Sequence, residues 1–368
     1  MASQPAAATG PLSLPGLAPS SERTIDRRSP SYWAQAHAPA HDDPRFPLDL
    51  RLELVRQHGS FSMAYSTAIQ PHLQYFGDER GYIAYRSRWG LTFVLGDPVC
   101  SVERRPALLR EFISAHRRPT FVQISYDTAQ QLSQLGCLVN EVGVDTRLDL
   151  DQYDFKGKEK EWLRYSENWI LRRNFRISEG SLKANEHEVV ALSDSWRATR
   201  RVKRKEVRFL NRPIVIDDEP HVRHFFLFDE AGKMNAFVFF DPVFAGGEVV
   251  GYVTCFKRRL PETSQYAEPA IMKAAIEQFK KEGIRHVWLG LSPLANVEDK
   301  ELRHNRFLHW TVRYLHSAGW LNKYFYNFVG HTQYKSRFRG VEEKTYYATP
   351  SRFNSHRLLA LASLCGII

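Results

Sequence analysis

The chain has 368 residues, 43% hydrophobic, 13% aromatic and 25% charged, with a formal charge of +10. That is more than one ordinary core needs, so one or two domains are expected and two fit better, with apolar material enough to build them. The basic excess suits an anionic partner (RNA, a lipid surface or a phosphorylated substrate), while Cys100, Cys137, Cys255 and Cys365 lie too far apart for a metal knuckle or a redox pair and suit buried thiols.

Residues 1–44 are rich in Ala, Pro and Ser without a sustained apolar period, and they read as a disordered tail. Tyr32-Trp33 inside it reads as incidental packing rather than a docking point. Folded sequence begins near Asp49. Leu50, Leu52, Leu54 and Val55 open a helix that Gly59 ends. Gly81-Tyr82-Ile83-Ala84-Tyr85 and Leu91-Thr92-Phe93-Val94-Leu95 form a hairpin turning at Trp89-Gly90, and Gly96-Asp97-Pro98 closes the second strand. Asp97 reads as a turn residue rather than a catalyst. A helix over 106–116 starts at Pro106. A strand at Phe121-Val122-Gln123-Ile124, a helix over 127–135 stopped by Gly136 and a strand over 142–150 follow.

Residues 154–176 read as one long basic helix. Trp162, Leu163, Trp169 and Ile170 share a side; Lys156, Lys158, Lys160, Arg164, Arg172 and Arg173 lie around the rest. That surface is either a solvated face or a ridge for an anionic backbone. The plan then repeats. Asn185 to Glu188 resembles a capping box opening a helix through Ser195-Trp196. Residues 197–208 hold seven Lys or Arg in twelve positions. Strands are expected over 224–228, 236–240 and 249–256. A helix over 268–282 puts Ile271, Met272, Ala275, Ile276 and Phe279 on one face and stops at Gly283. A buried strand over 284–291 breaks at Ser292-Pro293-Leu294-Ala295-Asn296, and a helix covers 301–317. Residues 326–338 then read as a loop presenting Tyr, Asn, Lys and Arg to a phosphate-bearing ligand. The apolar end, 357–368, is too short to span a bilayer; it packs on the body or dips into a lipid interface.

No stretch reaches the ~20 apolar residues that cross a bilayer, and the N-terminus lacks the pattern of a signal peptide. The expected location is the cytoplasm, at most peripheral at the inner face of the membrane. Dinucleotide, Walker and hydrolase-elbow motifs are absent, and His286, His304, His309, His316 and His331 match no zinc spacing. The Gln/Arg-x-x-Gly-x-Gly/Ala pyrophosphate loop of acetyl-coenzyme A users is also missing. Acyl transfer by positioning remains open, because an activated ester needs only an aligned nucleophile and a stabilised oxyanion.

Leu289-Gly290-Leu291-Ser292-Pro293-Leu294-Ala295-Asn296-Val297, followed by Tyr326-Asn327-Phe328-x-Gly330 and Tyr334-Lys335-x-Arg337-Phe338, resembles the C-terminal domain of bacterial phosphatidylglycerol lysyltransferases. Leu95-Gly96-Asp97-Pro98-Val99, Gly157-Lys158-Glu159-Lys160 with Leu163-Arg164 and Asn168, and Ser193-Asp194-Ser195-Trp196 agree with it, over about residues 50–365. The resemblance implies an α/β (α+β) fold of tandem N-acetyltransferase-like (GNAT) units with mixed sheets. It implies an aminoacyl-tRNA donor substrate, no separate cofactor and no metal, and a lipid, membrane-held or small-molecule acceptor. One segment departs: the family's Ser-x-Asp-Leu-Met-Arg falls on Tyr252 to Lys257, with Thr254 at the acidic position, so Glu206 or Asp241 is the candidate replacement carboxylate.

The expected layout is a tail over 1–44, a first unit over 45–180, a second carrying the site over 181–350, and an apolar segment over 351–368. Lys257 and Asn327 are the candidate catalytic residues. Arg258, Asn296, Tyr326, Lys335 and Arg337 are the candidate substrate-binding residues, the cations for phosphate and the asparagines for the ester or acceptor. Two alternatives stay open: transfer to a soluble small molecule or peptide, and a non-catalytic RNA- or membrane-binding module.

Overall fold

The structure, a computed structural model, describes residues 43–199, 208–319, 327–350 and 355–367. Almost all of the expected tail, including Tyr32-Trp33, lies outside them, as do the middle of the basic run after Arg197, Glu206 and Tyr326. The first half runs α1 (Leu48–His58), α2 (Ala64–Ile69), β1 (Gln74–Asp78), β2 (Gly81–Arg88), β3 (Leu91–Leu95), β4 (Val99–Cys100), α3 (Arg105–Ala115), β5 (Thr120–Ile124), α4 (Tyr126–Gln134) and β6 (Leu138–Asp149). The second runs α5 (Glu161–Leu171), β7 (Arg176–Glu179), α6 (Glu186–Ala198), β8 (Arg223–Phe228), β9 (Met234–Ala245), β10 (Glu248–Arg259), α7 (Ala267–Lys281), β11 (His286–Pro293), α8 (Arg306–Ser317), α9 (Phe328–Ser336), β12 (Val341–Thr349) and α10 (Ser355–Leu364).

Local chemistry accounts for several of these. The β2–β3 hairpin turns at Trp89 and Gly90 with φ of 51° and 72°, the left-handed pair that matches strand twist. In α7, Ile271, Met272, Ala275, Ile276 and Phe279 are buried against the sheet, where the Phe279 ring stacks on Tyr252 at 4.4 Å. Each larger apolar side chain so buried contributes about 1.5–3 kcal/mol.

All the strands join one twelve-stranded sheet, ordered β1-β2-β3-β5-β12-β6-β11-β10-β9-β8-β7, with β4 beside β2. In each half an antiparallel set leads, through a helix, to a parallel neighbour: β3 to β5 across α3, and β10 to β11 across α7. Each half's last strand is exchanged. β12, from the end of the chain, lies between β5 and β6, and β6 pairs with both β12 and β11. This is a tandem N-acetyltransferase-like fold with a mixed central sheet.

Several local expectations need correction. The long basic helix is the shorter α5, preceded by a 3-10 turn at Lys158–Lys160; Arg164 donates to the Phe155 and Gly157 carbonyls (2.6 and 2.7 Å) and ties that turn down. Asn185 does not cap α6 with its side chain but donates to the Ser181 carbonyl, while Asp218 accepts from the Leu182 amide. The helix expected from 301 begins at Arg306, where Asn305 caps it by accepting from the Leu308 amide at 3.1 Å. Residues 328–336 are a helix rather than a loop. The apolar end packs as α10, with Ala360, Leu364 and Cys365 buried on the first half's core.

Gly251 lies at a close approach of β10 to β11. A Cβ there would lie 2.5 Å from the Trp288 ring and 2.7 Å from the His286 carbonyl. Gly251→Ala is therefore expected to destabilise the protein by about 1–3 kcal/mol or more through overpacking. Urea unfolding checks it, and an unchanged midpoint would mean that the strands can part freely here.

Candidate active site

Strands β10 and β11 pair over only three positions, Gly251 with His286, Tyr252 with Val287 and Val253 with Trp288, and then part. Each carries an irregularity at the point of parting. On β10 the register against β9 slips between Thr254 and Phe256; on β11 the register against β6 slips between Trp288 and Leu291, and Gly290 has φ of 79°. An extra residue in a strand reverses the side-chain alternation beyond it. The slip at Cys255 thus returns Lys257 to the face that holds Tyr252 and Thr254, and leaves Phe256 and Arg258 on the other.

The parting exposes carbonyls of β11 that a parallel neighbour would have bonded. Lys335, on α9, fills that role: its Nζ donates to the Gly290 carbonyl at 2.5 Å and the Leu291 carbonyl at 2.6 Å. Lys335 is only 4% exposed. Beside it, Lys257 holds its Nζ 4.6 Å from the centre of the Tyr334 ring. Asp145, on β6 opposite Leu291, completes the cluster from the first half. Two buried oxygens in this corner, Asp145 Oδ1 and the Tyr334 hydroxyl, have no hydrogen-bond partner among the described residues. Buried polar atoms left without partners call for an explanation beyond packing.

Electrostatics sharpen the arrangement. Burial, then the neighbouring Lys257 charge, pushes the Lys335 ammonium well below the ordinary lysine range, against the pull of Asp145. Burial pushes the Asp145 carboxyl up, opposed by Lys335. Lys257 is lowered by burial, against the pull of Glu268. A lysine that yields its proton easily beside a second lysine and a carboxyl can accept and return a proton during acyl transfer.

The other expected residues among those described, Arg258, Arg337, Asn296 and Asn327, do not converge there. Arg258 lies on the opposite face, buried, 4.9 Å over Trp196. Arg337 is exposed and stacks 4.1 Å over Trp162. Asn296 sits in a left-handed turn (φ 51°) and donates to Glu342 at 2.5 Å. Asn327 caps α9, accepting from the Gly330 amide at 2.9 Å. Asn327→Ala is expected to cost about 0.5–2 kcal/mol through loss of the cap. Asn327→Asp keeps an acceptor and should restore the melting temperature; failure to do so would point to a role beyond the cap.

On the reverse face of β10 lies a second buried ionic cluster. Arg212 makes a bidentate pair with Asp241 (3.0 and 2.6 Å) and reaches Glu219 at 2.8 Å, next to Cys255 and His224. Asp241, the candidate replacement carboxylate, is therefore engaged by Arg212 and is not on the Lys335 side. Two surface cavities, of about 500 and 580 Å³, border Arg164 and Lys273 in one case and His58 and Arg104 in the other; neither reaches Lys335. In the first half β3 and β5 also pair over three positions, but their ends are tied: the Gly96 amide bonds the Val122 carbonyl (2.9 Å) and buried Asp97 accepts from the Ser125 amide (2.9 Å). Asp97, expected as a turn residue, instead ties the end of β3 to the start of α4.

Asp145 and Arg212 were not singled out in the sequence. The available signal was a carboxylate and a guanidinium inside apolar surroundings, Val142-Gly143-Val144-Asp145 and Phe209-Leu210-Asn211-Arg212-Pro213-Ile214.

The parting of β10 and β11 over buried Lys335, with Lys257 and Asp145 beside it, places the candidate site in the second half of a tandem N-acetyltransferase-like protein. Residues 52–349 match the family described as phosphatidylglycerol lysyltransferase, C-terminal, and the chain belongs to that family. A phosphatidylglycerol lysyltransferase of Bacillus subtilis is 24% identical over 287 residues, which cover 73% of this chain and 32% of that protein. The chain thus spans about a third of that relative's length. Among solved structures, that of L-PGS from Bacillus licheniformis superposes with a TM-score of 0.71 at 19% identity, covering 90% of this chain and 98% of that one. The C-terminal domain of a putative lysylphosphatidylglycerol synthetase from Agrobacterium fabrum gives 0.70 at 19%, covering 87% and 98%.

Proposed function

We propose that this chain moves an amino acid from an aminoacyl-tRNA onto the hydroxyl of a lipid or lipid-like acceptor. The observation that carries the reading is Lys335, buried between the parting strands with Asp145 and Lys257 around it. The acceptor oxygen attacks the ester carbonyl of the aminoacyl group. A new ester forms, the bond to the tRNA ribose breaks, and the ribose leaves as its hydroxyl. Neutral Lys335 takes the proton from the acceptor and returns it to the ribose oxygen, while Lys257 supplies positive charge to the oxyanion. Membership of the lysyltransferase family supports a lipid as acceptor and a charged tRNA as donor.

The test supplies the purified chain with tRNA charged with labelled amino acids and with a bacterial lipid extract. Labelled lipid that disappears after RNase treatment is the expected result. Label on water-soluble metabolites alone would favour a second reading, with the same donor and a soluble acceptor. That reading draws on α10, most of whose apolar residues pack on the first half's core, with Leu359 left exposed. No transfer to either fraction would leave a binding module.

A further inference from the structure

We infer that α8 is a docking helix by which the protein lies on an anionic membrane surface. Phe307, Trp310 and Tyr314 are 64%, 67% and 62% exposed, and they follow one another at the spacing of a single helix face. Large aromatic side chains are rarely left as open as Trp310 and Tyr314, since each removes 150–250 Å² from water when covered. The opposite face is fixed: Leu308 and Val312 are buried in the first half's core. The helix start is fixed as well. Asn305 exchanges hydrogen bonds with buried Asn140 (3.0 and 3.1 Å), and His309 pairs with buried Asp299 at 2.9 Å. The stripe therefore stands on a rigid mount.

Charge selects the occupant. Arg303, Arg306 and Arg313 are exposed around the stripe, and none pairs with a carboxylate among the described residues. Aromatic side chains flanked by guanidinium groups match the two layers of a bilayer interface, apolar below and phosphate above. Single-stranded RNA is a poorer fit. Bases stack within positively charged grooves, and this stripe lies along the exposed face of one helix. Furthermore, α8 packs against α9, the helix that carries Lys335, so docking through α8 would hold the Lys335 corner close to the lipid surface. The inference stands on the helix itself, whatever acceptor the cleft takes.

The test is co-sedimentation of the full chain with vesicles of about 30% phosphatidylglycerol in phosphatidylcholine, at low salt, where basic side chains are drawn to anionic lipid. The intact chain should sediment with them and bind pure phosphatidylcholine more weakly. The W310S/Y314S variant should lose at least about tenfold in partitioning, with Trp310→Phe retaining most of it and R306E/R313E losing the preference for phosphatidylglycerol. All four positions are exposed, so thermal melting should stay unchanged; it checks that any loss is not unfolding. Sedimentation of W310S/Y314S equal to that of the intact chain would overturn the inference, as would an intact chain that stays in solution. It would equally fall if the variant kept its vesicle binding and instead lost affinity for a tRNA acceptor-stem oligonucleotide. Transfer to a short-chain acceptor dispersed as monomers should survive in W310S/Y314S, which separates failure of docking from failure of the proposed chemistry.

Discussion

Lys335→Met is expected to lower aminoacyl transfer by about 10²–10⁴-fold, the usual contribution of a positioned acid–base group. The same change strips the Gly290 and Leu291 carbonyls of their donor and should cost about 1–3 kcal/mol of stability. Asp145 limits that cost, because its carboxyl is already pushed toward the neutral form. Lys335→Arg separates the two effects. A guanidinium can still donate to the carbonyls but does not give up its proton near neutrality. This variant should regain part of the lost stability while the rate stays low. The pH profile supplies a further check. In the unaltered protein the rate should rise with pH through the ionisation of Lys335, with a midpoint below the usual lysine value of 10.5. In Lys335→Arg that rise should vanish. Full activity in Lys335→Arg would make the residue a hydrogen-bond strut and nothing more.

Arg212→Met should be among the most destabilising single changes in the chain, at about 3–5 kcal/mol near neutral pH, because it leaves two buried carboxylates without their cation. The loss should shrink in acid, and Glu219 is the reason. Burial, which outweighs the attraction of Arg212, raises its carboxyl from 4.5 to about 7. A carboxyl whose folded value lies above its unfolded one adds stability that is complete below pH 4.5 and is lost as the pH rises through 7. That difference is worth about 3 kcal/mol at 1.36 kcal/mol per unit of pKa. His224 acts in the opposite sense. Burial, aided by Arg212, lowers it from 6.5 to about 4, so its contribution is present above pH 6.5 and lost as the pH falls through 4. Comparison with Glu219→Gln isolates the carboxyl. Between pH 5 and pH 8, urea unfolding should show the parent losing about 2–3 kcal/mol relative to Glu219→Gln. Parallel curves would show that Glu219 ionises freely in the folded protein.

Short-range punctuation in the sequence was a reliable guide. Gly283, with φ of 79°, ends α7 where a stop was expected, and Trp89-Gly90 turns the hairpin. Long-range pairing was not legible. The strand β12 begins Val341-Glu342-Glu343-Lys344, which looks like a solvated connection, and only Thr345 to Thr349 are buried, by strands far away in sequence. Helix α9 was hidden by Gly330 and Thr332, poor helix formers that interrupt its apolar face. Its tertiary anchor, Lys335 on the β11 carbonyls, is invisible in a linear reading, and the local Asn327 cap was not recognised as one. The motif containing Lys335 and Arg337 drew attention to the right segment, yet the two side chains diverge, since positions two apart on a helix point to different sides. Asp145 enters the site only because β6 crosses into the second half.

That crossing governs when the protein can assemble. A ribosome delivers β5 and β6 early, but the strand that seats between them is made some two hundred residues later, after Gly340. The nascent first half must therefore wait with two strand edges uncovered, exposed to chaperones and to mispairing with other chains. A ribosome stalled before Val341 would leave the first half without its last strand, whereas β6, already made, can close the second.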